Sequence, residues 1–163
     1  MHASRNEAHA LGKRNITADE INALPLRAFE GEVVMAQDPA EVDAAFLAIG
    51  NAGLVGFDTE TRPSFHKGQY YRVALLQIAL PDKVFLIRLR DDNVTQRMIH
   101  FFENENILKV GVGVRDDVRV LQKLRQFTPG GFIELTNLSK AAGFEVESVK
   151  KLTALLLGFR ISK

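Results

Sequence analysis

The sequence predicts an α/β domain: a mixed sheet, antiparallel in its early strands and parallel in its later ones, flanked by helices. Three features predict it. Residues 71–80 (YRVALLQIAL) and 83–89 (KVFLIRL) are β-branched and aromatic runs parted only by Pro81-Asp82, which favours an antiparallel hairpin. Further on, short apolar runs alternate with stretches of helical period, as in strand–helix–strand units with parallel strands. Ahead of both lies Leu54–Thr61, LVGFDTET, a strand that begins apolar and ends in two carboxylates, Asp58 and Glu60.

Each element has its own signal. Residues 1–30 read as a polar arm, in which His2 and His9 are too isolated to suggest a metal site. Within the arm, Thr17 and Glu20 have capping-box spacing, so a short helix is predicted over 18–23, ahead of Pro25. A first strand follows at Glu32–Ala36. Asp38-Pro39-Ala40-Glu41 then supplies a capping acid, proline at the first helical position and glutamate at the third. Val42, Phe46 and Ile49 recur at helical spacing before Gly50 and Gly53 end the element. After the hairpin, Val94, Met98, Phe101 and Phe102 form the inner stripe of a helix over 94–105. A short apolar strand over 107–112 runs into the turn Gly111-Val112-Gly113. The helix after it, over 115–125, turns Val114, Val118 and Leu121 inward. A last strand is predicted over 132–135. Two helices follow, 137–142 ended by Gly143, and Val149–Leu157 capped by Ser148 and ended by Gly158.

Composition narrows the function classes. With 163 residues the chain is long enough for one well-packed domain; 46% apolar and 25% charged residues are ordinary for a globular protein. A net charge of +1 requires any basic surface to be local. The absence of cysteine excludes disulfides, thiol catalysis and thiolate metal sites. No apolar run approaches the ~20 residues of a membrane span, and the N-terminus lacks a signal-type apolar core, so a cytoplasmic location and no membrane partner are expected.

The chemistry concentrates on the end of the LVGFDTET strand. Side chains two apart on a strand share a face, so Asp58 and Glu60 project together, with Cα atoms ~6–7 Å apart. Paired like charges on an otherwise buried strand are costly unless a cation or a proton neutralises them. Oxygen coordination of Mg²⁺ or Mn²⁺, with phosphate as co-ligand, suits that geometry. The plain alternative is a strand end that has run out into solvent. Arg115-Asp116-Asp117 opens the helix after the glycine turn, where a carboxylate can cap backbone N–H groups or reach the same cation. Arg62, His66 and Lys67, in the loop after the acids, are candidate phosphate contacts or else a solvated polar loop. Phe65 offers a stacking surface for a base, though packing is the expected role for one of eleven phenylalanines. Gly111 and Gly113 do not complete a G-x-G-x-x-G and are read as tight strand-to-helix packing.

From about Gly31 to Lys163 the sequence resembles the DEDD superfamily of 3′–5′ exonucleases, in its ribonuclease D and Werner-type branch. Val55-Gly56-Phe57-Asp58-Thr59-Glu60 matches the apolar strand ending Asp-x-Glu, and residues 109–117 (KVGVGVRDD) match the strand, glycine turn and helix aspartate of the second motif. Residues 132–136 (FIELT) and 151–158 (KLTALLLG) resemble the Werner-type branch in particular. The resemblance implies a ribonuclease H-like fold and release of nucleoside monophosphates from the 3′ end of DNA or RNA by two-metal hydrolysis. It casts Asp58 as the bridge between two Mg²⁺ or Mn²⁺ ions and Glu60 as ligand and water-orienting group. It assigns the second ion to Asp117 rather than Asp116. A third family motif, with a tyrosine and a fourth aspartate, has no match up to Lys163. A C-terminally truncated domain with weak or no activity is therefore the expectation. A non-catalytic nucleic-acid-binding module on the same fold, and a protein-interaction domain, are the other readings.

Overall fold

A computed structural model of the chain describes residues 12–162; His2 and His9 lie outside them. In chain order the elements are α1 (Ala18–Asn22), β1 (Glu32–Ala36), α2 (Pro39–Ile49), β2 (Leu54–Thr61), β3 (Val73–Ala79) and β4 (Lys83–Arg88). They continue with α3 (Gln96–Glu103), β5 (Leu108–Gly111), α4 (Val114–Gln122), β6 (Phe132–Glu134), α5 (Leu135–Ala141) and α6 (Val149–Leu157). Two compact units result. One is Gly31–Glu134; the other joins the chain's ends, up to Glu30 and from Leu135 onward.

In the Gly31–Glu134 unit a six-stranded mixed sheet runs in the order β1-β4-β3-β2-β5-β6. The hairpin forms as expected: β3 pairs antiparallel with β2 and with β4. The later strands are parallel, β5 to β2 and β6 to β5, and β1 lies parallel to β4 at the far edge. Strand alternation puts Val55 and Phe57 of β2, Leu76 and Ile78 of β3, and Phe85 and Ile87 of β4 in the core. Against them pack Val42 and Phe46 of α2, Met98 and Phe102 of α3, and Leu121 of α4. Phe57 meets Phe102 and Phe132 edge-on, with ring centroids 6.3 and 5.2 Å away, an arrangement that suits the aromatic quadrupole.

Caps decide where helices start. The Asp38–Glu41 capping box forms at α2 as its spacing predicts. At α3 the Thr95 hydroxyl accepts from Met98 N, so that helix begins at Gln96 rather than at 94. Strand β3 starts at Val73, not 71: across an irregularity after Glu60 its partner is Thr61, the last residue of β2, and Tyr70 and Tyr71 before it are exposed.

The second unit has a small core of Ile16, Ile21, Val146, Leu152, Ala154 and Leu155. Its two chain ends are stitched by Arg27 N to Arg160 O and Arg160 N to Pro25 O, both 2.9 Å. Helix α5 starts at Leu135, directly after β6, two residues earlier than the sequence suggests. Among the described residues no helix is long and apolar enough to cross a membrane.

Candidate active site

The pleat of β2 sorts the site residues. Phe57 is buried and Thr59 half-buried on the core side, while Asp58 and Glu60 are exposed on the other. Opposite them on β3 stand Gln77 and Leu75. The sheet thus delivers two carboxylates to one face at the carboxyl end of a parallel strand, where ligands of α/β sheets usually bind.

Helix α4 brings the third acid. Thr59 Oγ1 donates to Asp117 Oδ1 at 2.6 Å, tying the helix to β2 through a residue that the sequence reading passed over. The other oxygen, Asp117 Oδ2, is buried and has no hydrogen-bond partner among the described residues. Burial pushes the Asp117 carboxyl up to about 6; the Thr59 bond opposes this, and the charges of Asp58, Asp116 and Glu134 add to it. The Asp58 carboxyl is also pushed up, first by desolvation; the Thr59 N–H opposes the shift and the Glu60 charge reinforces it. Asp116 is exposed and pairs with Arg119 at 3.5 Å, so Asp117 is the acid joined to β2.

The start of α4 is set by groups distant in sequence. Its N-cap is Gly113, in the left-handed region at φ 75° and without a side chain to cap the helix. Glu134, at the end of β6, does that work: its carboxylate accepts from Gly113 N at 3.1 Å and Val114 N at 3.0 Å. Gly111 answers a different need, since a Cβ there would sit 2.2 Å from the Phe57 carbonyl oxygen. The expectation of tight strand-to-helix packing thus gives way to two separate needs: at Gly111 the close neighbour is the backbone of strand β2, and at Gly113, where a Cβ would meet nothing within 4 Å, it is the left-handed φ that calls for glycine.

Arg62, His66 and Lys67 are all exposed in the loop between β2 and β3. Arg62 lines a cavity with Arg88 and Arg90, and the other two do not. Phe65 corrects the sequence expectation of packing, because it is 84% exposed. Among the described residues no element covers that loop tip, and Tyr70 beside it is 96% exposed.

Among the described residues no three carboxylate or imidazole side chains are gathered as a metal-holding group. The donor chemistry nonetheless fits a hard divalent cation. The oxygens are carboxylate, Asp117 Oδ2 is buried without a partner, and the Asp58 charge bears on Asp117.

A mixed sheet with one reversed strand, helices packed on it, and acids at the carboxyl end of its central strand define a ribonuclease H-like nuclease fold. The chain belongs to the 3′–5′ exonuclease domain family, whose profile matches residues 33–163. It is 29% identical over 150 residues to the mouse (Mus musculus) bifunctional 3′–5′ exonuclease/ATP-dependent helicase WRN. That alignment covers 86% of this chain and 11% of the mouse protein, so the chain spans about a tenth of that relative. The Aedes aegypti Nibbler EXO domain shares the fold, with a TM-score of 0.68 at 21% identity over 86% of this chain and 75% of that one. An EXD2 exonuclease domain soaked in Mg and GMP has a TM-score of 0.56 at 22% identity over 80% and 72% of the two chains.

Proposed function

We propose that this chain binds the 3′ end of a nucleic-acid strand and hydrolyses its last phosphodiester with the help of divalent cations. The observation that carries this reading is the pairing of Asp58 and Glu60 on one face of β2 with a third acid, Asp117, whose Oδ2 is buried and unpartnered. Asp58, Glu60 and Asp117 would hold Mg²⁺ or Mn²⁺, the ions present in EXD2 soaks of similar fold. Bound there, such ions polarise a phosphodiester and make a water nucleophilic at neutral pH. Thr59 keeps Asp117 turned so that one oxygen is spent on the protein and the other is free. Glu60, exposed beside Asp58, would bind one ion and orient the attacking water. Arg62 and Lys67 supply positive charge for the substrate's phosphates, and Phe65 a ring for an unpaired base.

One observation favours a second reading. Asp117 is engaged by Thr59, and no three acids are gathered among the described residues, as in a module that binds nucleic acid without cutting it. Digestion of a 5′-labelled single-stranded oligonucleotide with Mn²⁺, by the chain and by Asp58→Asn, separates the two. Hydrolysis predicts a ladder shortening from the 3′ end that the variant lacks. Binding without a ladder in either protein favours the module.

A further inference from the structure

The acids leave unexplained an open cavity of about 540 Å³ at the same end of the sheet. Its walls include Met35, Arg62, Leu75, Arg88 and Arg90, contributed by β1, β3, β4 and the segments that leave β2 and β4. Register relates it to the acids. Glu60 pairs with Leu75, and Leu75 with Arg88, so the three lie in one row across β2, β3 and β4 on one face of the sheet. Arg88 is therefore two strand spacings from Glu60, ~10 Å between Cα atoms.

Charge in the cavity is not self-compensated. The acids that follow β4 are already paired, Asp91 with Arg72 at 2.6 Å and Asp92 with Arg90 at 2.7 Å, which leaves Glu60, across the row, as the carboxylate facing the cavity's end. Arg62 and Arg88 have no carboxylate partner among the described residues, and both are exposed. The backbone that carries the cavity is held firmly. Asn93 is fully buried; its Nδ2 donates to Gln37 O at 2.7 Å and Arg88 O at 2.6 Å, and its Oδ1 accepts from Arg90 N at 2.8 Å. Gln37, Arg88 and Arg90 all line the cavity, so a single buried amide sets the backbone of its wall. Such preorganisation is what anion recognition by guanidinium groups requires.

We infer that this cavity takes a backbone phosphodiester of the substrate strand, upstream of the 3′ end held at Asp58 and Glu60, with Arg62 and Arg88 as its ligands. The inference rests on the proposed function and extends it. It assigns the sheet a second contact, which fixes the direction in which the strand leaves the acids. Arg90, tethered by Asp92, forms the rim, and Met35 and Leu75 form the apolar floor.

The test is the salt dependence of binding to a 5′-labelled single-stranded oligonucleotide without divalent metal, where no cleavage occurs. Replacing one phosphate ligand lowers the slope of log K against log[salt] by ~0.7. Arg88→Gln is expected to show that drop, with about tenfold weaker binding near 0.1 M salt. Arg97→Gln, an equal charge change at an exposed position on α3, is expected to keep the wild-type slope. Equal slopes for wild type and Arg88→Gln overturn the inference. So does a pattern in which Arg88→Gln weakens only the binding of inorganic phosphate, since that describes a free-anion site. Failure here is distinct from failure of the exonuclease reading. A wild-type ladder with Arg88-independent binding removes the cavity alone, and Arg88-dependent binding without a ladder removes the catalysis alone.

Discussion

Thr59 spends its hydroxyl on a carboxylate 58 positions away rather than on its own strand, and that bond orients the acid most deeply placed in the site. Thr59→Val keeps the β-branched shape that suits a strand and deletes the donor. Without it, both oxygens of Asp117 lack a partner, which should cost about 1–2 kcal/mol in metal-free protein by urea denaturation. Groups behind a metal ligand commonly contribute tenfold or more to affinity, so Mn²⁺ binding should fall about tenfold. Affinity that rises instead would mean that Thr59 competes with the cation for Asp117. Lys109 is a second buried polar residue, without any part in the proposed chemistry. It is fully buried, donating to Asn104 O at 2.7 Å and Gly130 O at 2.6 Å, with its Nζ 5.1 Å from the ring centres of Phe101 and Phe132. Burial lowers its pKa from 10.5 to about 8. Between those values the unfolded chain binds the proton and the folded chain does not, so stability rises with pH across that window. The gain is at most about 3 kcal/mol, because the carbonyls and rings favour the charged form. Urea midpoints of wild type and Lys109→Met from pH 7.5 to 10.5 check the sign: wild type should gain on the variant as pH rises. A constant gap would mean that those contacts offset the burial in full.

Helix α4 presents the same logic at the scale of an element. Its own N-cap is a glycine, so the end of β6 does the capping through Glu134. Glu134→Gln can accept through one oxygen only and should lose about 1 kcal/mol; Glu134→Ala should lose more. Because the first turn of α4 carries Asp117, both variants should also weaken Mn²⁺ binding, in the same order. Lost stability with unchanged Mn²⁺ affinity would confine Glu134 to a structural role. The elements themselves were largely legible in the sequence. Strands and helices announced themselves by alternation and by 3.6-residue periods, and β2 and α6 have the bounds that their patterns suggested. The ends that shifted are those decided by local hydrogen bonds, such as Thr95 at α3. Asp58 and Glu60 drew attention as acids at the end of an apolar strand, whereas Asp117 was singled out from Asp116 only by the family resemblance. Thr59 and Glu134 could not, because each acts on a partner far away in sequence that only the fold brings close. Phe65 misled for the opposite reason: composition favours burial of phenylalanine, and only the loop's position leaves its ring in water.

For the whole molecule, the division into two units has a thermodynamic consequence. Every residue of the larger core, from Ala36 to Phe127, lies within Gly31–Glu134, as do all three candidate acids, Thr59, Glu134 and the arginine-lined cavity. The smaller unit draws on few buried apolar residues, and small cores rarely supply much net stability. Residues 31–134 made alone should therefore unfold in urea as a single cooperative step, with a slope of about 1–2 kcal/mol/M for a domain of roughly a hundred residues. In the intact chain, native-state hydrogen exchange should rank the two units. Amides of β2, β3, β4 and β5 should exchange only through the largest openings, whereas α1, α5 and α6 should exchange through cheaper, partial ones. A disordered 31–134 fragment, or equal exchange free energies across both units, would mean that the chain folds as one cooperative body. Cooperative folding of the fragment would have a further use. The ladder and salt-slope assays could then be run on residues 31–134 alone, and any contribution of the two chain ends to substrate binding would be read directly as the difference.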